Sequence, residues 1–309
     1  MKSLQLVGPR AFEIVNVEDP EPGHGEVVVK LIAAAICNQS DAHAFRGDPG
    51  SRPCPPGFPG HEGVGRVARV GKGVAHLQVG QPVCMTGMGG PGVYSELVLR
   101  RADLVVALGS DCDPVPAACL ELYGCVWRSL KMCGQIEART LVINGLGPAG
   151  LAAVQLARNI TRGPIIGVDP VSSRRTLALD CGADRSVDPT DSKSFGALVG
   201  SRPHTVLECT GSPEGISAAM TLAARQVVMF GVCFEPIQIN QMEWFHKELT
   251  IRNSKQLDMD DFAEAVAMYE QGRLDPTRLV THHMSFEEYD RALTLLSERQ
   301  AVKLLLSWR

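Results

Sequence analysis

Four residues carry the side chains with which proteins bind zinc: Cys37, His61, Glu62 and Glu121. Thiolate, imidazole and carboxylate are the usual zinc ligands, and a catalytic site uses three of them and leaves one coordination position open. Cys37, the adjacent pair His61-Glu62 and Glu121 lie far apart in the sequence, so spacing alone does not assemble them. Three of them also have an ordinary interpretation: Cys37 as a buried thiol, His61 as a loop histidine and Glu121 as a surface position on a helix.

A second chemical signal is a G-x-G-x-x-G motif, which consists of Gly145, Leu146, Gly147, Pro148, Ala149 and Gly150. The motif follows an apolar run and opens an alanine-rich segment, which is the strand-to-helix context of a dinucleotide site. The first glycine permits a tight turn, the second lets the backbone approach a pyrophosphate, and the third allows close helix–strand packing. Free N–H groups at the start of the helix then face the phosphates.

Asp169 ends the next apolar run, nineteen residues after Gly150. A carboxylate at this place accepts hydrogen bonds from the adenosine ribose and repels a 2′-phosphate, which favours NAD over NADP. Arg174 and Arg175 follow closely and are able to accommodate a phosphate instead. The sequence therefore predicts NAD, with NADP as the alternative. The alternative interpretation is that these residues bind no cofactor and are a tight strand–helix turn with a solvated aspartate.

The elements that must position these residues change in character near Pro114. Before it, apolar runs over 26–35, 65–70, 82–85 and 93–99 are separated by glycine and proline, as in a small barrel or sandwich. After it, strand-like and helix-like runs alternate, which predicts a parallel sheet covered on both faces. The predicted strands are 140–144, 164–169, 205–208, 226–231 and 302–306, and the predicted helices are 116–132, 148–158, 172–179, 262–271 and 286–298.

Length and composition limit the possible classes. A chain of 309 residues predicts two domains. The net charge of −4 gives no basic excess for nucleic acid or an anionic membrane surface as partner. Neither a secretory signal nor an apolar stretch of about 18 residues is present, so we expect a cytoplasmic protein with no membrane partner. The ten cysteines are then expected to be reduced and available as metal ligands.

The segment 60–65 (GHEGVG), with Gly71 and Val74 downstream, resembles the zinc signature of the medium-chain dehydrogenase/reductase superfamily. The segments 33–37 and 40–43 resemble that family's first zinc-ligand segment. Ala118-Cys119-Leu120-Glu121 resembles the segment of a later ligand, where the sorbitol-dehydrogenase branch carries glutamate.

The resemblance covers essentially the whole chain and implies an α/β fold of two domains. A GroES-like, β-rich catalytic domain is expected over 1–113. A Rossmann NAD-binding domain with a doubly wound parallel sheet is expected over 114–252, and the chain is expected to return to the catalytic domain over 253–309.

The resemblance also implies a ligand set. One catalytic zinc would be held by Cys37, His61 and either Glu62 or Glu121. The remaining carboxylate would lie beside the site or exchange in during turnover, which also makes Glu62 a candidate catalytic residue.

Other roles implied by the resemblance concern the segment after Cys37. Ser40 resembles the hydroxyl that relays the alcohol proton. His43 continues this relay or is a structural surface histidine. Asp41 is a candidate for orienting a ligand such as His61.

Two departures from the family pattern affect these expectations. The segment Cys37-Asn38-Gln39-Ser40-Asp41 is one residue longer than usual, and alignment backwards from Ser40 would place Asn38 at the ligand position. Cys37 is preferred because the run before it aligns without a gap and thiolate suits zinc. The second departure is that Cys84 stands alone where many relatives carry four closely spaced cysteines, so we expect no structural zinc.

The function implied is hydride transfer between an alcohol or polyol, or the matching carbonyl compound, and NAD(H), in a zinc-dependent homodimer or homotetramer. Zinc would act as a Lewis acid on the substrate oxygen, and the cofactor would take the hydride. Two alternatives remain open, since fold alone does not define function. One is a zinc-independent quinone or enoyl reductase of the same fold, and the other is an NAD-binding homologue without activity.

Overall fold

The computed structural model describes residues 1–47, 54–134, 136, 138–159 and 161–308. The described chain divides into two compact units. The first unit comprises Met1–Glu121, Phe262–Gly272 and Leu279–Arg309, and the second comprises Leu122–Asp261 and Arg273–Arg278. No helix within the described ranges is both long and apolar enough to cross a membrane.

The strands are numbered in chain order. They are β1 Lys2–Gly8, β2 Ala11–Asn16, β3 Glu26–Ala35, β4 Glu62–Val70, β5 Pro82–Thr86, β6 Leu97–Arg101, β7 Val105–Ala107, β8 Leu141–Asn144, β9 Ile165–Val168, β10 Arg185–Val187, β11 Thr205–Glu208, β12 Gln226–Met229, β13 Thr250–Asn253, β14 Val280–Ser285 and β15 Lys303–Ser307.

The α-helices are numbered in the same way. They are α1 Ser40–Arg46, α2 Pro114–Ala117, α3 Leu120–Met132, α4 Pro148–Ala157, α5 Ser172–Asp180, α6 Ser192–Gly200, α7 Pro213–Leu222, α8 Gln241–Lys247, α9 Met259–Glu270 and α10 Tyr289–Ser297.

A mostly antiparallel sheet forms the first unit, with strand order β14-β15-β3-β4-β5-β7 and β6 paired to β3. Strand β3 is central because it pairs with β4, β6 and β15. Its sequence EVVVKLIAAA is almost continuously apolar, and Val27, Val29 and Ala34 belong to the buried core of this unit. This arrangement confirms the expected GroES-like, β-rich part of the fold.

The second unit contains a six-stranded sheet in the order β10-β9-β8-β11-β12-β13, in which neighbouring strands pair in parallel. Counted from β8, this is the strand order 3-2-1-4-5-6 of the doubly wound dinucleotide-binding fold. The short strands LVIN and TVLE are buried along their whole length, as central parallel strands covered on both faces must be. The predicted Rossmann part of the fold is confirmed.

Local differences from the predicted elements have simple causes. The helix predicted over 116–132 is two helices, α2 and α3, and α2 begins at Pro114 after Asp113 caps it through the Val115 N–H at 3.0 Å. The strand expected over 93–99 begins at Leu97, because Val93 and Tyr94 make loop hydrogen bonds to Gly60 and Gly57. The N-terminal hairpin of β1 and β2 was not predicted, although Leu4 and Leu6 in β1 and Phe12 and Ile14 in β2 alternate along the strands and pack in the core.

Candidate metal and cofactor sites

The pairing of β3 with β4 brings the predicted metal ligands together. The two strands are antiparallel, and Ala35 at the end of β3 lies opposite Glu62 at the start of β4. Cys37 follows β3 by two residues, and His61 directly precedes β4. The end of β3 therefore meets the beginning of β4, although Cys37 and His61 are more than twenty positions apart in sequence.

Cys37, His61 and Glu62 each place one ligand atom in a common cluster, in which all three atoms lie within 4.8 Å of one another. Glu62 is buried, and the other two side chains are half-buried. Burial alone would raise the pKa of Cys37. The hydrogen bond to His61 and the charge of that imidazole outweigh burial, so the pKa of this thiol is lowered. A thiolate is the form that binds metal.

The imidazole of His61 has a defined orientation. Its Nδ1 lies 2.9 Å from the carbonyl oxygen of Pro59. A carbonyl only accepts hydrogen bonds, so Nδ1 carries the proton and Nε2 is left as the ligand atom. Burial alone would lower the pKa of His61, but the hydrogen bond and negative charge of Cys37 raise it well above its ordinary value, with smaller contributions from Glu121 and Glu62.

Glu62 is held by a buried lysine that the sequence interpretation missed. Lys303 Nζ donates to Glu62 Oε1 at 2.7 Å and to the Ile36 carbonyl at 2.8 Å. Burial alone would lower the pKa of Lys303, but the charge of Glu62 raises it. Lys303 begins β15 and lies inside the run 302–306 that was predicted as a final apolar strand. A single cation in an otherwise apolar run was the sequence signal from which a buried, paired lysine could have been predicted.

The three clustered residues fit zinc by their chemistry. They supply a thiolate, an imidazole and a carboxylate, which is a complete ligand set for a catalytic site with one open position. Glu62 Oε2 is buried and has no hydrogen-bond partner within the described residues, while Lys303 occupies Oε1. A cation bound at the cluster would satisfy this oxygen and balance the negative charge.

Glu121 lies apart from the clustered ligand atoms. It is the second residue of α3 and is half-buried. Its ligand atoms do not belong to the group that lies within 4.8 Å. Its charge nevertheless acts on the pKa of His61, so it is a neighbour of the site. Of the two carboxylates left open by the sequence, Glu62 is the one inside the cluster.

The segment after Cys37 forms α1, which was not predicted. Ser40 begins this helix, is exposed, and has its Oγ 3.5 Å from Cys37 Sγ. His43 lies one turn further along and is half-buried. The extra residue before Ser40 is therefore accommodated in the turn into α1.

The hydrogen bonds of Asp41 reach Cys37, another of the expected metal ligands, and not His61. Its carboxylate accepts hydrogen bonds from the Tyr94 and Tyr289 hydroxyls at 2.7 and 2.8 Å and from the Cys37 N–H at 3.0 Å. Burial raises the pKa of Asp41 despite these hydrogen bonds. Asp41 therefore orients Cys37.

The glycine motif lies in the strand–turn–helix context that the sequence predicted, between β8 and α4. Gly145 has φ +93°, which favours glycine. A Cβ on Gly150 would lie 1.9 Å from the Gly145 carbonyl oxygen, so glycine is also required there. A Cβ on Gly147 would meet no atom within 4 Å, which leaves the start of α4 open to a phosphate.

Asp169 follows β9 directly and is buried. Its Oδ2 accepts from the Leu146 N–H and its Oδ1 from the Val171 N–H, both at 2.8 Å. Arg174 Nη1 lies 3.9 Å from Oδ2. The carboxylate is thereby fixed against the glycine turn.

Comparisons with known proteins agree with this architecture. Residues 23–110 match the alcohol dehydrogenase GroES-like domain, and residues 148–271 match the zinc-binding dehydrogenase family. Together these matches cover more than half of the chain, which belongs to the medium-chain dehydrogenase/reductase superfamily.

Individual relatives are similar over nearly their whole length. The chain is 25% identical to the sorbitol dehydrogenase of Halalkalibacterium halodurans, with 97% of this chain and 96% of that protein covered. It is 26% identical, with a TM-score of 0.89 and coverage of 100% and 99%, to the alcohol dehydrogenase rspB of Escherichia coli CFT073 complexed with NADH. It is 25% identical, with a TM-score of 0.87 and coverage of 99% and 98%, to a zinc-binding dehydrogenase of Sinorhizobium meliloti 1021 bound to NADP.

Proposed function

We propose that this protein is a zinc-dependent dehydrogenase that transfers a hydride between an alcohol or polyol, or the matching carbonyl compound, and NAD(H). The observation that carries the proposal is the cluster of Cys37, His61 and Glu62, in a chain that also holds the glycine motif. When bound there, zinc supplies Lewis-acid polarisation of the substrate oxygen. The nicotinamide supplies the redox chemistry.

The proposed residue roles follow from the geometry of the first unit. Cys37 Sγ, His61 Nε2 and Glu62 Oε2 hold the metal, and Glu121 exerts its effect on the site through charge. Ser40 is the proposed proton relay, because it is exposed and its Oγ lies 3.5 Å from the Cys37 thiol. His43 continues this relay from α1.

The second unit provides the proposed cofactor site. The motif residues bind the pyrophosphate, and Asp169 favours NAD because a 2′-phosphate would meet its fixed carboxylate. Arg174 and Arg175 are the residues through which NADP would bind instead. An Asp169→Ser variant is expected to narrow the preference for NAD, measured as the ratio of kcat/KM values for the two cofactors.

The number of zinc ions and the assembly state are part of the proposal. We expect one zinc per chain. We expect each chain to consist of the domain segments 1–113, 114–252 and 253–309, and the chains to assemble as a homodimer or homotetramer. Exposed apolar side chains are concentrated in the segment 232–245, where Phe234 and Phe245 are 69% and 65% exposed. Exposed apolar side chains of this size are typical of a protein contact surface, which supports the expected assembly. Light scattering of the double variant Phe234→Ser/Phe245→Ser should show a smaller assembly than that of the native chain.

The decisive experiment combines zinc quantification with a panel of polyols, sugar alcohols and simple alcohols, each tested with NAD and NADP. We expect the purified protein to contain zinc and to form NADH when an alcohol is added. A chelator should abolish this activity. Activity that survives complete removal of zinc would instead indicate a zinc-independent reductase. NADH binding without turnover of any substrate would indicate a homologue without activity.

Two pairs of variants test the ligand assignment. Cys37→Ala should abolish zinc binding, whereas Cys112→Ala, another half-buried cysteine of the first unit, should retain it. Glu62→Gln should lower the affinity for zinc more than Glu121→Gln, because only Glu62 belongs to the cluster. The reverse order would make Glu121 the third ligand.

A further inference from the structure

Asp41 ties the backbone of a proposed metal ligand in two places. Its carboxylate Oδ2 accepts from the Cys37 N–H at 3.0 Å, and its own N–H donates to the Cys37 carbonyl at 3.1 Å. The peptide groups on both sides of the Cys37 side chain are thus attached to one residue. Asp41 is fully buried, so water does not compete for these hydrogen bonds.

Two tyrosine hydroxyls hold the other oxygen of this carboxylate. Tyr94 and Tyr289 both donate to Asp41 Oδ1, at 2.7 and 2.8 Å, and both side chains are fully buried. Hydrogen bonds to an ionised acceptor are roughly twice as strong as neutral ones. The two donors come from positions 53 and 248 residues away, so they connect α1 to distant parts of the first unit.

Tyr94 also supports the segment that carries the second ligand. Its ring occupies the space beside Gly60, where an added Cβ would lie 2.3 Å from Tyr94 Cδ1. The Val93 N–H donates to the Gly60 carbonyl at 2.9 Å. Gly60 directly precedes His61, so one aromatic ring backs the His61 loop while its hydroxyl holds the Asp41 that fixes Cys37.

Aromatic packing fixes the second tyrosine. The ring of Tyr289 meets those of Tyr94, Phe12 and Phe45 edge-on, with centroid separations of 5.8, 5.6 and 5.7 Å. Such edge-to-face contacts stabilise aromatic pairs beyond simple burial. The Tyr289 hydroxyl therefore points at Asp41 from a constrained ring.

We infer that Tyr94 and Tyr289 are positioning residues for the metal centre. Both act through Asp41, and Tyr94 acts also through the Gly60 backbone, to set the separation of Cys37 and His61. This inference rests on the zinc site proposed above. Neither tyrosine is part of the metal cluster, yet both decide how well the site is organised before metal binds. Loss of such outer contacts commonly weakens metal binding by about 10–100-fold.

The test uses the full chain and three matched substitutions. Tyr94→Phe and Tyr289→Phe each remove one hydroxyl, and Tyr269→Phe is the control, because its hydroxyl donates to the Asp113 carbonyl at 2.8 Å. Zinc affinity is measured by competition with a chromophoric chelator, and the visible spectrum of the cobalt-substituted protein reports the thiolate–metal geometry. We expect zinc affinity to fall by about 10–100-fold in the first two variants. The control should keep the native affinity and spectrum.

A thermodynamic cycle tests whether the tyrosines act through Asp41. In an Asp41→Asn background, removal of either hydroxyl should weaken zinc binding less than it does in the native chain, because residues of one network are not additive. Equal effects in both backgrounds would overturn the proposed route. If Tyr94→Phe does not fold, Tyr289→Phe alone decides the question.

The possible failures are distinguishable. The inference is overturned if both variants retain the native zinc affinity and the native cobalt spectrum. It is also overturned if the only change in both variants is a lower melting temperature of the metal-free protein. Zinc binding without turnover of any alcohol overturns the proposed function and leaves the inference standing. A native chain that binds no zinc overturns both.

Discussion

Two buried cations of the first unit have opposite environments. Lys303 and Arg100 are each 1% exposed and lie on β15 and β6, which both pair with β3. Lys303 contacts the Glu62 carboxylate and a carbonyl. Arg100 donates from Nη1 to the Leu99 carbonyl, while its Nε and Nη2 have no partner within the described residues.

The pKa values of Arg100 and Lys303 are shifted in opposite directions. Burial lowers the pKa of Arg100 to about 10. Burial would likewise lower the pKa of Lys303, but the charge of Glu62 reverses the direction. Burial alone therefore does not make a cation part of a site. Lys303 has a charged partner, Glu62, that belongs to the candidate metal cluster, and Arg100 has no such partner within the described residues.

The largest expected effect is that of Lys303→Met. It removes one partner of a buried pair and leaves Glu62 without its counter-charge, which typically costs about 3–5 kcal/mol in the free energy of unfolding. Denaturant titration of the metal-free protein measures this loss. Native stability in this variant would contradict the importance of the pair. The double variant Glu62→Gln/Lys303→Met should be more stable than Lys303→Met alone, because it removes both charges.

An intermediate effect is expected for Asp261→Asn in the second unit. Asp261 is a buried acid with two cationic partners, Lys131 Nζ at 2.5 Å and Arg128 Nη1 at 3.2 Å. Both cationic partners are partly exposed, 41% for Lys131 and 34% for Arg128, so water screens these ion pairs. The total loss in the free energy of unfolding should therefore be about 1.5–3 kcal/mol, below that of Lys303→Met. An effect near zero would show that partnered buried charges are not generally stabilising here.

Asp261 also makes the free energy of unfolding depend on pH in a predictable direction. Burial alone would raise the pKa of Asp261, but the hydrogen bond from Lys131 and further contacts lower it below the ordinary value of about 3.9. The folded state therefore holds this proton less tightly than the unfolded state. The stabilisation is present above about pH 4 and is lost as pH falls through the lower folded-state pKa. Asp261→Asn should flatten the stability curve in this acid range.

The smallest expected effect is that of Arg100→Met. Replacement of a buried charge by an apolar side chain of similar volume is often neutral or stabilising. We expect a change in the free energy of unfolding of less than about 1 kcal/mol, or a gain in stability. Zinc content should be unchanged. A loss as large as that of Lys303→Met would end the contrast between the two cations.

Much of the fold was predictable because its signals are local. The alternation of apolar strands with helices after Pro114 predicted the parallel sheet, and the glycine motif predicted its turn between β8 and α4. Some elements were missed, among them α1, α7 and the N-terminal hairpin. Their formation depends on caps such as Ser212, which accepts from the Gly215 N–H, and on pairing across the chain.

The sequence by itself determined the candidate ligand types, the nucleotide motif and the two-part architecture, because each is written in residue types and short spacings. Only the tertiary structure decided that Glu62 joins Cys37 and His61, that Asp41 holds Cys37 and that Lys303 holds Glu62. These contacts depend on strand register and on residues up to 248 positions apart. Local propensity contains no information about such pairings, because they form only when distant segments pack into one core.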